Sequence, residues 1–349
     1  MTLRVIIYRL GVIPLLLLLC ILAACSQQDL DQEEQGMVSL KVLASPGTKA
    51  GEGGTATATL PAKETDIFDL SIFIFNSNGD VIGFTSQDFS DGKPTAVVVK
   101  TRKATGCSVY AIANAKTLNK NGTSPFDGVS TLSVFKTKYL SFTDAKAPND
   151  DKCLLMMGVS SDFDTSSAGS ATITLKRLAS RIDYTITVNN DYETKFPIVV
   201  DSYQLRNVPT STLYQQSDFT SPSMPSSTTF ANFDKVSTSI SSVAAPTSVG
   251  TYYVYANNGT SKETYLDIQA HSEVQGAGTK YTVWKSNFQV KMPGNHVLPN
   301  YHYKINIVIN GSVEGKNGGF IITYNAYPYF SGSILNPWGP NENKDLDLQ

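Results

Sequence analysis

The residue with the clearest chemistry is Cys25. Residues 10–24 are apolar with an interruption at Pro14, Arg4 and Arg9 precede them, and the run closes on Leu22-Ala23-Ala24-Cys25. As a helix this run would span about 22 Å at 1.5 Å per residue, short of the roughly 30 Å hydrocarbon core. A signal peptide that is removed therefore fits better than a membrane span. Small residues ahead of a cysteine form the pattern of a lipid-attachment site. The expectation is that the Cys25 thiol is acylated and the bond between Ala24 and Cys25 cut, with Cys25 left as the first mature residue; the alternative is an ordinary secretory signal with an incidental cysteine. Acyl chains, at about 0.8 kcal/mol per buried methylene, would then hold the protein on a bilayer.

Other reactive types are sparse. The three histidines, His271, His296 and His302, have no carboxylate or cysteine at metal-ligand spacing. There is no nucleophile elbow, phosphate loop or H-E-x-x-H. The carboxylates Asp150-Asp151 and Asp162 with Asp164, and the group Asp88, Asp91, Gly92, sit in turn-like segments. They read as solvated loops rather than as a glycosidase pair or a calcium loop. Once Cys20 leaves with the leader and Cys25 is acylated, Cys107 and Cys153 remain. No spacing pattern pairs them, so two buried or free thiols are expected, although an oxidising compartment would permit a bridge. A formal net charge of -2 with 17% charged residues offers no basic patch for nucleic acid. The expectation is a protein without catalytic residues, cofactor or metal.

These residues need elements to position them, and the elements read as strands. Ser, Thr, Asn, Gly and aromatics dominate, a balance that favours strands over helices. Residues 38–42 alternate, which places Val38, Leu40 and Val42 on one face. A Gly, Thr and Ala-rich linker follows over 45–59. Residues 67–75 and 81–84 flank Asn76-Ser77-Asn78-Gly79-Asp80 and predict a hairpin. Further strands are expected over 96–100 and 107–113, the latter central because it is nearly all apolar. Residues 132–140 fit either a short helix or a strand. Strands over 171–175 and 181–188 bracket an expected domain boundary, and strands follow over 198–207, 250–256, 263–270, 280–291 and 301–310. The Ser, Thr and Pro-rich stretch 210–248 reads as an elaborated surface loop containing short strands. Last strands are expected over 320–324 and 327–334, then a polar end over 336–349. The expected division is a signal peptide over 1–24, a polar tether over 25–36, one β-domain over 37–175 and a second, with its tail, over 176–349.

Four segments together resemble a known family, the Bacteroidetes fimbrillins or type V pilins. They are the lipid-attachment site at Cys25, residues 67–76, the junction 175–184, and 297–307, in that order along the chain. The resemblance implies an all-β fold of two tandem transthyretin-like β-sandwich domains. It also implies an outer-membrane lipoprotein, held through Cys25, that becomes a structural subunit of a surface fimbrium and contributes to adhesion. In the family a trypsin-like protease cuts after an arginine behind the first strand, and another subunit's segment fills the groove that this opens. The partners implied are other fimbrial subunits, joined by strand addition, and the exchangeable strand maps to Val38, Leu40 and Val42. The alternative for this strand is a permanent edge strand.

The sequence departs from the family where the cut would fall. No arginine lies between Cys25 and Ile67, and Thr48-Lys49-Ala50 stands at the corresponding place. Either a protease accepting Lys49 cuts before Ala50, or the subunit stays lipid-bound as an anchor, so stalk, anchor and tip roles remain open. The acidic stretch 26–35 is similar to the segment that directs such lipoproteins to the surface, and equally reads as a plain tether. Trp338, between prolines and ahead of a polar end, departs from the family's closing strand. The receptor for adhesion is not legible. The competing reading is a surface glycan-binding lipoprotein of a nutrient-uptake system, with exposed tyrosines and Trp284 stacking on sugar rings.

Overall fold

Long apolar runs without polar alternation must be covered on both faces, and strictly alternating runs on one; both kinds occur here. The computed structural model describes residues 35–44, 61–94, 96–166, 169–189, 197–241, 246–276, 278–310, 320–328 and 344–345. In the first half these form β1 (Gln35–Ala44), β2 (Asp69–Phe75), β3 (Val81–Asp88), β4 (Val97–Arg102), β5 (Cys107–Ala113), β6 (Tyr139–Ser141), β7 (Met156–Phe163) and β8 (Gly169–Arg177). Every residue of β2 is buried, because Leu70, Ile72 and Ile74 face one apolar cluster while Phe73 and Phe75 face another. By contrast β4 alternates buried and exposed residues and has one solvated face. Both Cys107 and Cys153 are buried free thiols. Burial pushes the Cys153 thiol up to about 12 and raises that of Cys107 as well.

The strand order β1-β4-β3-β2-β5-β7-β8 closes on itself, but the closure is uneven. β3 meets β4 at one pair, Gly83 with Thr101, and β7 meets β8 at Met156 with Arg177 and Met157 with Lys176. The ring is thus a flattened sandwich with β3-β2-β5-β7 as one layer and β4-β1-β8 as the other. Glycine makes both seams. A Cβ on Gly83 would lie 2.9 Å from Thr101 Cβ, and one on Gly158 would lie 2.6 Å from both Ile173 Cγ2 and the Thr174 carbonyl oxygen. Those approaches exist because there is no side chain. Gly158→Val is accordingly expected to cost about 3 kcal/mol through overpacking, read from the urea midpoint. Ser161→Val, at an exposed position of the same strand, should stay within about 0.5 kcal/mol.

The second half comprises β9 (Ala179–Asn189), β10 (Ile198–Arg206), β11 (Val208–Pro209), β12 (Ser211–Leu213), β13 (Phe230–Ala231), β14 (Val236–Ile240), β15 (Thr247–Tyr255), β16 (Tyr265–Gly276), β17 (Thr279–Lys291), β18 (Tyr301–Asn310), β19 (Phe320–Pro328) and β20 (Lys344–Asp345). Its two sheets run β14-β10-β16-β17 and β15-β9-β18-β19-β20. Alternation on β9 turns Ile182, Tyr184, Ile186 and Val188 into the core, where they meet Tyr303, Ile305, Ile307 and Ile309 of β18.

The two halves repeat one topology. β1 lies between an antiparallel β4 and a parallel β8, as β9 lies between an antiparallel β15 and a parallel β18. β3-β2-β5-β7 likewise matches β14-β10-β16-β17, antiparallel throughout. The all-β tandem sandwich expected from the sequence is the fold of the chain. Four details differ. Residues 156–163 form β7, where no strand was expected, because their exposed polar half hides a buried start, Met156-Met157, that pairs with β5. Residues 132–140 hold both a helix, Leu132–Thr137, and β6, because Thr131 caps the helix by accepting a hydrogen bond from the Val134 N–H at 3.3 Å. Of the expected last strands, 320–324 runs on to Pro328 as β19, paired with β18; residues 329–334 lie outside the described residues, and the polar end contributes β20. The stretch 210–248 is not all surface. Thr210, Ser211, Thr212, Tyr214 and Gln216 are buried, since β12 pairs with β6 across the junction.

Candidate functional site

The site follows from where β1 lies. Residues 35–40 pair antiparallel with 97–102 of β4, and residues 38–44 pair parallel with 169–175 of β8. β1 is therefore the middle strand of its layer, not a strand at an edge. Val38 and Leu40 are fully buried and share a cluster with Val97, Val99, Ile173 and Leu175 on the flanks and Leu70, Ile72, Ile74 and Val109 beneath. Val42 stands opposite Ile173 in the ladder, and its side chain lies outside the described residues, as do Ala24, Cys25, Lys49 and Ala50.

Without β1, β4 and β8 would keep their thin seams to the other layer, and β4 also the bond that the Arg102 carbonyl accepts from Thr165 Oγ1 at 2.8 Å. Thr101 Oγ1 donates to the Ile82 carbonyl at 3.2 Å and Arg102 to the Val81 carbonyl at 3.1 Å, and these bonds reinforce the β3–β4 seam. An open channel would separate β4 from β8, with apolar walls and two rows of unsatisfied backbone groups. At 1.5 to 3 kcal/mol per buried aliphatic side chain, Val38 and Leu40 contribute about 3 to 6 kcal/mol. Two ladders of backbone hydrogen bonds add about 1 kcal/mol each. An extended segment with apolar residues at alternate positions is what such a channel takes up. The walls of this channel, Val97 and Val99 on one side and Ile173 and Leu175 on the other, were readable as strand residues but not as a pair of walls.

A second constellation holds the halves together behind the linker. Glu64 is fully buried; its carboxylate accepts from the Tyr253 hydroxyl at 2.6 Å and from Arg181 at 3.3 Å. Its backbone carbonyl accepts from Nε of the buried Arg177 at 2.7 Å. Asn149 clasps the backbone of Tyr253 through both its side-chain atoms, at 2.9 and 3.0 Å. No local sequence signal marks Glu64, because its partners lie more than a hundred residues away.

Two of the three histidines, His271 and His302, prove to have carboxylate neighbours. His302 on β18 pairs with Asp183 on β9 at 2.6 Å, and Asp183 also accepts from Arg181 at 3.1 Å and from Thr251 at 2.7 Å. His271 lies between Asp201 at 2.7 Å and Glu273 at 3.3 Å. Burial works against the charged Asp183, but the bonds from His302, Arg181 and Thr251 outweigh it and hold its carboxyl well below the usual carboxylate range. A carboxyl depressed in the folded state adds stability that is complete above its unfolded value near 3.9 and fades as pH falls below it. Asp183→Asn should therefore destabilise the protein at neutral pH, with the gap to wild type narrowing below about pH 4. Urea midpoints of both proteins at the two pH values measure this, and a gap independent of pH would contradict it.

Residues 37–195 belong to the family described as Major fimbrial subunit protein (FimA), as the resemblance in sequence implies. The fold agrees. A protein from Parabacteroides distasonis ATCC 8503, provisionally assigned to cell adhesion, has a TM-score of 0.64 at 18% identity over 84% of this chain and 97% of its own. The fimbrilin FimA from Porphyromonas gingivalis W83 gives 0.51 at 15% identity over 85% and 98%. The tip fimbrial protein Mfa3 from the same species, with a C-terminal truncation, gives 0.51 at 12% over 84% and 100%. At these identities the likeness is one of fold. Among curated proteins, none matches the chain in sequence. Over residues 37–195 the chain thus carries the sequence of a fimbrial subunit, and its fold is that of the fimbrial and adhesion proteins named.

Proposed function

We propose that this subunit is exported as a lipoprotein, acylated at Cys25 after cleavage behind Ala24, and carried to the outer membrane. There it joins its neighbours by strand exchange. Segment 35–44 leaves the channel between β4 and β8, and an extended segment of another subunit replaces it. The exchangeable unit is the domain over 37–175, and the domain over 176–349 follows as its partner. The protein catalyses no reaction; its work is assembly and adhesion. The observation that carries this reading is the position of β1, paired on both sides by strands whose described ladder pairs to the other layer are few and lie beside two glycines.

Lys49 and Ala50 decide between two roles. Cleavage after Lys49 frees the first strand and yields a polymerising stalk or tip subunit, whereas an intact linker keeps the chain on the membrane as an anchor. Mass spectrometry of the mature amino terminus from native envelopes tests this. An acylated Cys25 identifies the anchor, a start at Ala50 identifies the polymerising form, and a terminus at neither place contradicts the proposal.

A further inference from the structure

The outer face of the sheet β14-β10-β16-β17 carries a cavity of about 690 Å³ lined by Asp201, Lys235, Gln269, His271, Lys285 and Asn287, among others. Two irregularities of the sheet border it. In β10 the ladder skips Asp201 against both neighbouring strands, so Asp201 and the adjacent Ser202 both line the cavity. Regular pleating would send consecutive residues to opposite faces. In β17 the register slips at Val283, so Thr282 and Lys285 share one face although three positions apart. Bulges of this kind re-aim side chains next to functional sites.

Both irregularities converge on His271. The bulged Asp201 holds one ring nitrogen at 2.7 Å, and Glu273, which follows the register slip, holds the other at 3.3 Å. Lys285 stands opposite His271 in the ladder. Across the cavity Lys235 donates to Gln269 at 2.5 Å, and Ser202 donates to the same oxygen at 3.4 Å. Small-molecule sites occupy about 300 to 1,000 Å³ and are mostly apolar. This one has the volume with the opposite lining: amides, hydroxyls and charges. Such walls suit a ligand rich in hydroxyl groups. Two lysines face one lining carboxylate, so they also suit a ligand with one negative charge.

We propose that this cavity binds an acidic sugar unit of a glycan. Its carboxylate would lie between Lys235 and Lys285, and its hydroxyls would pair with Asp201, Gln269 and Asn287. The proposal is independent of strand exchange, since every residue named lies in the second half of the chain.

Titration of the mature chain with methyl glucuronide, followed by NMR, tests it. Methyl glucoside serves as the neutral probe and sulfate as the anion without hydroxyls. Binding of the glucuronide, weakened about tenfold or more for the glucoside and by Lys285→Gln or Lys235→Gln, is the expected result. Both lysines are exposed, so these variants should fold, and an unchanged urea midpoint checks that. Failure to bind the glucuronide overturns the proposal. So does sulfate binding as tightly as the glucuronide, or glucuronide affinity that survives both substitutions.

Discussion

Leu40→Asp is expected to open the first domain. The side chain is fully buried among Val97, Val99, Ile173 and Leu175, and a carboxylate there would have no partner. The loss of apolar burial plus an unpaired charge costs about 4 to 5 kcal/mol or more, a large share of the 5–15 kcal/mol typical of a whole domain. Lys41→Asp, one position along on an exposed site of the same strand, should change stability by no more than about 0.5 kcal/mol. Denaturation midpoints give the two numbers. The variant has a second signature: with its own strand weakened, it should capture a peptide of sequence 35–44 added in solution, which the wild-type protein should refuse. Equal stability of the two variants would show that the channel does not depend on its occupant.

The next largest effect is expected at Glu64. Removal of its carboxylate by Glu64→Ala takes the acceptor from the Tyr253 hydroxyl and leaves Arg181 with Asp183 alone, beside the fully buried position that it occupied. Breaking a buried ion pair from one side costs about 3 to 5 kcal/mol. Glu64→Gln keeps an acceptor for Tyr253 and should lose less. A double-mutant cycle with Tyr253→Phe should report a coupling above about 0.5 kcal/mol, and additivity would mean that the hydroxyl and carboxylate act separately. Because Glu64 stands just behind the linker and bonds to β15 and β9, the seam should keep the halves joined when the first strand is withdrawn.

The strands with strong patterns were legible in the sequence. β2 and β5 are apolar because both faces are covered, and β9 and β18 alternate because one is not. The hairpin of β2 and β3 follows from the turn at 76–80. What the sequence withholds is pairing. Nothing local in residues 35–44 says that their partners are 97–102 and 169–175, or that one is parallel, so the difference between an edge strand and the middle of a layer was invisible. Gly83 looks like an ordinary strand glycine until the strand it must touch is known, and Gly158 lies where the sequence pattern shows no strand. Thr210, Ser211 and Thr212 read as surface because they are polar; they are buried where Thr229 and Thr228 satisfy two of their hydroxyls. His271 escaped notice for the same reason: Asp201 lies 70 residues away and a bulge delivers it. Glu273, only two positions on, was the local clue.

The exchange of β1 is tested most directly on the chain that begins at Ala50, refolded from denaturant with and without a labelled peptide of sequence 35–44. The account predicts uptake of one peptide per chain and a cooperative unfolding transition restored by it. Cys107, which shares the apolar cluster of Val38 and Leu40, should become unreactive to thiol reagents when the peptide is bound, and a peptide with Leu40→Asp should do none of this. A chain that refolds fully without the peptide, shields Cys107 unaided and takes up no peptide would contradict it.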